Sequence, residues 1–244
     1  MYILSIGNSF SQDAQRYVYG IARAAGVELQ MFNLYIPGCP LERHFRNMLS
    51  GEREYILEVN GVSTGFKVSL QEALLSRKWD MITLQQASGT SVNYETYQPY
   101  LNRLAAFVRE YSPKAKLAIH QTWAYAKESP RLMDKWGYQD PSEMFRAVKA
   151  AYARAAEDIS AELLIPCGEV LTALLDAGAA SVHRDCHHAS RGLGRYALGL
   201  TWYAALTGNS VADNTYCDFD EPITPEEASL ARKCVDEVMG KYRR

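Results

Sequence analysis

The chain has 244 residues, a formal net charge of −2 at pH 7 and a hydrophobic content of 48%. This length and composition suffice for one large α/β domain or two small ones with a sizeable core. The near-neutral charge argues against a nucleic-acid-binding protein, which normally carries clustered excess Lys and Arg, and no apolar run approaches the length that spans a membrane.

The first predicted element is a short buried strand at residues 3–6, which ends in the turn Gly7-Asn8-Ser9. A helix is predicted next from an apolar stripe with helical spacing: Ala14, Tyr17, Val18, Ile21 and Ala25. Ligands of open α/β sheets bind at the carboxyl ends of the strands, so Ser9 would lie exposed near the partly positive start of a helix. The competing interpretation is that Ser9 or Ser11 only caps this helix.

A second strand is predicted at residues 28–36, and it ends in the tight turn Pro37-Gly38-Cys39-Pro40. Gly38 is either a plain turn residue or a position where the backbone approaches a ligand with its N–H free to donate. A short helix at residues 41–49 is followed by a β-hairpin near residues 53–68, which we expect as an insertion at or beside the sheet edge.

The third and fourth core strands are predicted at residues 79–84 and 117–119, with a long amphipathic helix between them that ends at Ser112-Pro113. Both strands end in side chains that can form hydrogen bonds: Gln85 and Gln86 after the third strand, His120 and Gln121 after the fourth. Such side chains at the carboxyl edge of the sheet are candidates for lining a pocket, although ordinary strand-end residues look the same.

A long connection at residues 123–140 has no apolar periodicity, and connections of this length are often lids or binding loops. It is rich in aromatic residues: Trp123, Tyr125, Trp136 and Tyr138. Their flat faces could stack on sugar rings, or they could cover the sheet edge as ordinary packing. We expect Gln121, Trp123 and Trp136 to bind substrate.

The remaining elements continue the alternation of strands and helices. They are a helix that starts at Asp140-Pro141, a fifth strand at residues 163–166, a short helix at 169–175, an apolar helix at 190–206 and a last helix that starts at Thr224-Pro225. This alternation predicts a single domain, residues 1–244, with a mostly parallel sheet.

Residues that could act as a general base are concentrated in the polar segment at residues 183–188. Ser9 is a weak nucleophile until a neighbouring base takes its proton. Asp185 and His188, separated by two residues, could supply the imidazole and the carboxylate that orients it, with His187 as an alternative base. A metal site formed by residues of this segment competes with this interpretation, but zinc ligands usually come from more than one segment. Its possible ligands are His183, Asp185, Cys186, His187 and His188, to which His44 and His120 could add.

The oxyanion of an acyl-transfer intermediate needs two or three hydrogen-bond donors. Candidates are the Ser9 N–H, the Gly38 N–H and the side-chain amide of Gln85 or Gln86. The two glutamines face opposite sides if the strand persists, and we expect Gln86 to face the site.

These blocks, in this order, resemble the SGNH (GDSL-like) hydrolase superfamily. The strings IGNSFS, LQQ, TWAY and D-x-x-H-x-S are similar to a poorly characterised, largely bacterial SGNH-like branch with a Gly-Asn-Ser first block. The resemblance implies Ser9 as nucleophile, His188 as general base and Asp185 as its orienter. It also implies a flavodoxin-like, three-layer α/β/α sandwich of about five parallel strands.

Two departures from the superfamily pattern bear on function. Asn8 replaces the usual Asp of Gly-Asp-Ser, and the third block has glutamines in place of Gly-x-Asn-Asp. Superfamily esterases that act on acetylated sugars also use a glutamine near this point. The resemblance therefore implies a serine esterase that removes acetyl or another small acyl group from a carbohydrate, with no cofactor and no metal.

Two other functions remain open from the sequence. The chain could be a non-catalytic carbohydrate-binding relative, as the missing asparagine block suggests. It could also be a lipase or thioesterase for longer acyl chains, although the polar and aromatic connection at 123–140 argues against an apolar groove. Each function predicts a small-molecule or glycan ligand and neither nucleic acid nor membrane as a partner.

The five cysteines are scattered through the chain at Cys39, Cys167, Cys186, Cys217 and Cys234. An odd number without a CxxC pair predicts mostly free thiols. A strand that starts at residue 2 leaves no signal peptide in this sequence, which fits a cytoplasmic protein. It fits equally a periplasmic or secreted protein whose leader was removed.

Overall fold

The computed structural model describes residues 1–242, and seven strands of this range form one sheet. The strands are β1 (Tyr2–Gly7), β2 (Gln30–Tyr35), β3 (Tyr55–Val59), β4 (Val62–Val68), β5 (Met81–Leu84), β6 (Lys116–Gln121) and β7 (Leu163–Pro166). Their order is β4-β3-β2-β1-β5-β6-β7. Five strands are parallel, and β3 and β4 form an antiparallel hairpin at the β2 edge. The predicted parallel sheet with a hairpin insertion is confirmed.

The central strand β1 is buried because its sequence is apolar: Ile3, Leu4 and Ile6 are fully shielded from solvent. Continuous apolar runs are typical of parallel strands that are covered on both faces. β1 pairs with β2 on one side and with β5 on the other, and Gly7 at its end is opposite Tyr35. The carboxyl ends of the parallel strands therefore meet at one edge of the sheet, in the flavodoxin-like arrangement.

Helices cover both faces of the sheet. They are α1 (Ser9–Gln15), α2 (Val18–Ala24), α3 (Leu41–Ser50), α4 (Leu70–Leu75), α5 (Tyr100–Tyr111), α6 (Pro130–Trp136), α7 (Pro141–Asp158), α8 (Cys167–Asp176), α9 (Leu193–Thr207) and α10 (Pro225–Gly240). On one face α1, α2, α8 and α10 pack around α9, and on the other α3, α4 and α5 pack together. This is the predicted three-layer α/β/α sandwich.

Two helical features differ from the sequence expectation. The apolar stripe predicted one helix up to residue 25, but the backbone breaks at Arg16 and Tyr17, between α1 and α2. Both helices pack against α9, so the stripe continues across the break and hides it from a periodicity argument. The connection at 123–140 contains α6, which begins at Pro130, a residue type well suited to a first helical turn.

Helix α9 anchors the polar segment that precedes it. Most of its side chains are buried, and a helix that is apolar all round is a core helix in a globular protein. It packs against α1, α8, α10 and β7, which fixes the start of α9 relative to the end of β1. Among the described helices, none has the length and apolar character that a bilayer crossing requires.

Candidate active site

The turn after β1 sets the position of Ser9. Asn8 is the N-cap of α1: its Oδ1 accepts from the Phe10 N–H at 3.0 Å, and its Nδ2 donates to the Cys39 carbonyl at 3.1 Å. Gly7 is required here, because a Cβ at this position would lie 2.1 Å from Ser11 Oγ. Asn8, rather than Ser9, therefore caps the helix, and Ser9 becomes its first residue, half-buried, with its hydroxyl available.

Three side chains form a continuous hydrogen-bonded chain at this turn. Ser9 Oγ lies 2.9 Å from His188 Nε2, and His188 Nδ1 lies 2.8 Å from Asp185 Oδ2. The other carboxylate oxygen, Asp185 Oδ1, accepts the backbone N–H groups of His187 at 2.8 Å and His188 at 2.7 Å. The structure thus brings together the three residues that the sequence selected, in the geometry of a hydroxyl, a base and an orienting acid.

The surroundings of the Asp185 carboxyl favour its ionised form. Burial tends to raise the pKa of the Asp185 carboxyl, but the N–H donors of His188 and His187 and the His188 ring outweigh burial and hold it well below the usual range. Burial, followed by the charge of His188, lowers the pKa of the neighbouring His187. A carboxylate that stays ionised keeps His188 Nδ1 as the donor, which leaves Nε2 to accept from Ser9.

Asp13, which was not among the predicted site residues, holds the segment that carries His188 in place. Asp13 on α1 is fully buried, and its carboxylate accepts from Arg184 Nη1 at 2.8 Å and from Arg195 Nε at 2.9 Å. Its Oδ2 also accepts the Ala189 N–H at 3.2 Å. The signal in the sequence is an acidic residue beside Ala14 on an otherwise apolar stripe, because a buried charge requires partners.

Ser9 and Gly38 both line the pocket beside Ser9 Oγ, and each has a backbone N–H group that could serve as a donor. Ser9 is the first residue of α1 and has no acceptor within the helix, and Gly38 lies in the turn after β2. Within residues 1–242, neither N–H donates a hydrogen bond. Gly38 has a φ of +58°, a left-handed backbone that favours glycine, and a Cβ there would meet open space. These two donors match the backbone part of the expected oxyanion site.

The expectation for Gln86 is wrong. Its Nε2 donates to the Thr96 carbonyl at 3.0 Å, and its Oε1 accepts from the N–H groups of Leu41 and Ala87. The side chain is 1% exposed and does not reach the pocket. Gln86 instead ties the loop after β5 to the start of α3, because its amide satisfies backbone groups on both segments.

Gln85 supports the Ser9 turn from behind. Its Nε2 donates to Asn8 Oδ1 at 2.8 Å, and its Oε1 accepts from His120 Nδ1 at 2.6 Å. Burial lowers the pKa of His120 to about 3, so this ring is neutral at pH 7. The hydrogen bonds from His120 to Gln85 and from Gln85 to Asn8 therefore fix the orientation of the Asn8 side chain. Neither Gln85 nor Gln86 supplies a donor to the pocket.

A pocket of about 590 Å³ opens beside Ser9 and His188. Its walls come from the turns after β1 and β2, the loop after β5, α6 and the His187-His188 segment. Tyr125 is the residue of the 123–140 aromatic set that lines it, and its hydroxyl lies 2.9 Å from Ser88 Oγ. The pocket is thus built at the carboxyl edge of the sheet, as expected for this fold.

The three residues expected to bind substrate do not line this pocket. Gln121 and Trp123 are each 1% exposed. The Trp123 ring stacks on Phe10 at a centroid distance of 4.3 Å, and its Nε1 donates to the His187 carbonyl at 2.9 Å. Trp136 packs edge-on against Tyr125 at 5.4 Å, outside the pocket wall. Trp123 and Trp136 support the site from outside it, because their large apolar faces fill space beneath the loops.

The metal site considered from the sequence would share Asp185 and His188 with this hydrogen-bonded chain. Within the described chain, Asp185, His187 and His188 form a group whose ligand atoms lie within 4.8 Å of one another. Their donors and acceptors already pair with each other and with Ser9. His44 and His120, the further ligands considered from the sequence, are fully buried beside Tyr55 and Gln85 and do not join this group.

Comparison with known proteins assigns the fold. The model of the family DUF4886, described as a domain of unknown function, matches residues 2–237. A DUF4886 family protein from Bacteroides uniformis ATCC 8492 is 30% identical, with a TM-score of 0.90, and the match covers 100% of this chain and 96% of that one. No curated protein matches this chain.

Two more distant structures share the architecture. A candidate SGNH hydrolase from Slackia heliotrinireducens is 23% identical with a TM-score of 0.60, covering 84% of this chain and 98% of its own. The psychrotrophic esterase EstA from Pseudoalteromonas sp. is 13% identical with a TM-score of 0.55, and the match covers 85% of this chain and 97% of that one. These similarities show that this chain shares its fold with those two proteins.

Proposed function

We propose that this chain, which belongs to the DUF4886 family, is a serine esterase that hydrolyses esters of small acyl groups. The observation that carries the proposal is the hydrogen-bonded chain from Ser9 Oγ through His188 to Asp185, at 2.9 and 2.8 Å, beside an open pocket. A serine hydroxyl becomes an effective nucleophile when a base within hydrogen-bond reach takes its proton.

The acylation half-reaction follows from the order of these groups. His188 Nε2 takes the Ser9 proton as Oγ bonds to the ester carbonyl carbon, and the Asp185 carboxylate stabilises the imidazolium that forms. The Ser9 and Gly38 N–H groups donate to the carbonyl oxygen as it becomes negative. When the tetrahedral intermediate collapses, His188 gives its proton to the leaving alcohol, and an acyl-serine remains.

Deacylation repeats these steps with water. His188 Nε2 takes a proton from a water molecule, whose oxygen bonds to the acyl carbon. The second tetrahedral intermediate collapses, the Ser9 Oγ–carbon bond breaks, and His188 returns the proton to Ser9 Oγ. The products are the free acid and the regenerated hydroxyl.

The lining of the pocket supports a small acyl group. No leucine, isoleucine, valine or methionine of the described chain lines it, although a long acyl chain needs such side chains. Tyr35, Phe10 and Tyr125 supply aromatic faces, and Ser88 and Thr90 supply hydroxyls. This combination suits a carbohydrate ester such as an acetylated sugar, because ring faces stack on aromatics while hydroxyls form hydrogen bonds.

The test compares hydrolysis of p-nitrophenyl acetate, butyrate and octanoate by the wild type and by Ser9→Ala. We expect the acetate to be preferred, and Ser9→Ala to fall to the background rate because the nucleophile is lost. A fluorophosphonate probe should label the wild type and leave Ser9→Ala unlabelled. Equal rates in both proteins together with no labelling would instead favour a non-catalytic binding protein, and a preference for octanoate would favour a lipase.

A further inference from the structure

Helix α6 places two cations in the wall of the pocket. Arg131 and Lys135 are four residues apart and both line it together with Ser9 and His188. Residues four apart lie on the same face of a helix. No aspartate or glutamate of the described chain lines this pocket, although the whole chain has a net charge of −2.

The positive charge of Arg131 is not neutralised by the protein. Its guanidinium forms no ion pair or hydrogen bond within residues 1–242, and its charge acts on the neighbouring His187. After burial and the charge of His188, Arg131 is one of the groups that lower the pKa of His187. A free guanidinium presents a rigid fork of donors that matches the oxygens of an anionic group.

Lys135 completes the cationic wall. Its Nζ donates to the Gly89 carbonyl in the loop after β5 and lies 5.1 Å from the centroid of the Trp136 ring. Both contacts hold the ammonium in position, but neither a carbonyl nor a ring cancels its charge. Like charges four residues apart on a helix repel each other and destabilise it. An anion bound in the pocket beside Arg131 and Lys135 would reduce this repulsion.

We propose that the substrate carries an anionic group that Arg131 and Lys135 bind while Ser9 attacks the ester. This proposal rests on the proposed function and names its substrate class. Since the acyl group is small, the anionic group belongs to the alcohol half, as in an acetyl ester of an acidic sugar. A carboxylate and a phosphate share the required chemistry, because each offers two oxygens to a guanidinium.

The experiment uses matched esters that differ in one charge. The anionic members are 3- and 4-acetoxybenzoate, and the neutral members are their methyl esters. We expect the wild type to have a higher kcat/KM for an anionic ester than for its neutral methyl ester. In Arg131→Gln/Lys135→Gln this ratio should fall about tenfold, the loss expected when a charge-assisted hydrogen bond is removed. The preference should also fall with added NaCl, because salt screens exposed charges.

Two control variants separate charge from structure. Lys114 and Lys116 are exposed. Lys114 lies just before β6 and Lys116 is its first residue, at the opposite edge of the sheet from the pocket. Lys114→Gln/Lys116→Gln removes two positive charges there and should keep the wild-type preference. Arg131→Lys/Lys135→Arg keeps both charges and should keep most of the preference. A preference lost in the charge-preserving variant would show a packing role and overturn the proposal.

The remaining outcomes are also decisive. Ser9-dependent hydrolysis with no preference for either anionic ester overturns the anionic-substrate proposal and leaves the esterase intact. If no ester is hydrolysed, the proposed function fails, and calorimetric binding of 4-acetoxybenzoate to Ser9→Ala, with and without Arg131→Gln/Lys135→Gln, decides the charge proposal separately. Comparison with 4-acetoxyphenyl phosphate shows whether carboxylate or phosphate is the preferred anion.

Discussion

At the scale of single residues, Asp185 has two distinct contacts. One carboxylate oxygen accepts from His188 Nδ1, and the other accepts two backbone N–H groups that shape the segment itself. The carboxylate therefore holds both the tautomer of the His188 ring and the local backbone.

Replacing this carboxylate with an amide separates these two contacts. In Asp185→Asn the amide oxygen can still accept from the backbone, but the ring loses the acceptor that selects its tautomer. We expect kcat for p-nitrophenyl acetate to fall by about 10⁴-fold, as for the corresponding change in serine proteases. Asp213→Asn is the matched control, since Asp213 is exposed and away from the pocket. Wild-type kcat in Asp185→Asn would contradict the assigned orienting role.

The same carboxylate makes stability depend on pH. Because the folded protein holds the pKa of Asp185 below its ordinary value, the ionised form stabilises the fold above the unfolded pKa of about 3.9. This contribution is lost as the pH falls from there toward the folded pKa. Urea unfolding of the wild type and Asp185→Asn should give a difference in the free energy of unfolding at neutral pH that shrinks below about pH 4. A constant difference across the acidic range would refute this explanation.

At the scale of elements, Asp13 joins three separate parts of the chain. It lies on α1, Arg184 lies in the segment that carries His188, and Arg195 lies on α9. Arg195 continues to Asp220 at 2.6 Å, which also binds Arg16. The helix that begins with Ser9 and the segment that carries His188 are therefore connected through one fully buried carboxylate, so their spacing is fixed by electrostatics as well as by packing.

Removing the charge of Asp13 should disturb both folding and activity. Asp13→Asn leaves two guanidinium groups without their shared anion, and breaking a buried pair costs about 3–5 kcal/mol in the free energy of unfolding. Glu42→Gln, which breaks the exposed pair with Arg46, is the control and should change it by less than about 1 kcal/mol. The measurement is urea unfolding, with kcat as the second readout. Equal effects of the two substitutions would exclude a structural role for Asp13.

At the scale of the whole molecule, the exposure of the five cysteines reflects how tightly the protein is packed around each of them. All five are free: Cys217 is exposed, Cys186 is half-buried, and Cys39, Cys167 and Cys234 are buried. Burial raises the pKa of the Cys39 thiol to about 12, which suppresses the reactive thiolate in the folded protein.

Thiol titration with Ellman's reagent tests this packing. We expect Cys217 to react fast in the native protein, Cys186 to react more slowly, and the three buried thiols to react only in denaturant, because the reagent must reach a thiolate. Cys217→Ser should remove the fast phase and leave the others. Rapid reaction of Cys39 without denaturant would mean that the turn after β2 is open and that Gly38 is not held beside Ser9.

Much of the architecture followed from local sequence signals. The apolar strands, their alternation with helices and the hairpin near residues 53–68 are local patterns, and they led to the observed sheet. The chain order of Ser9, Gly38, Asp185 and His188 indicated which groups could meet, because parallel strands end at one edge. The backbone break at Arg16 and the helix α6 were missed, since one stripe spans the break and α6 is too short for its periodicity to be read.

The sequence by itself determined the sheet, the carboxyl edge on which a site would form, and the residue types available there. Only the tertiary structure decided where each polar side chain points: Gln86 and Trp123 are turned into the protein by partners distant in the chain. It also decided that Asp13 pairs with Arg184 and that Arg131 and Lys135 face the pocket. The physical reason is that side-chain direction depends on hydrogen bonds and packing between segments far apart in sequence, which local propensity does not encode.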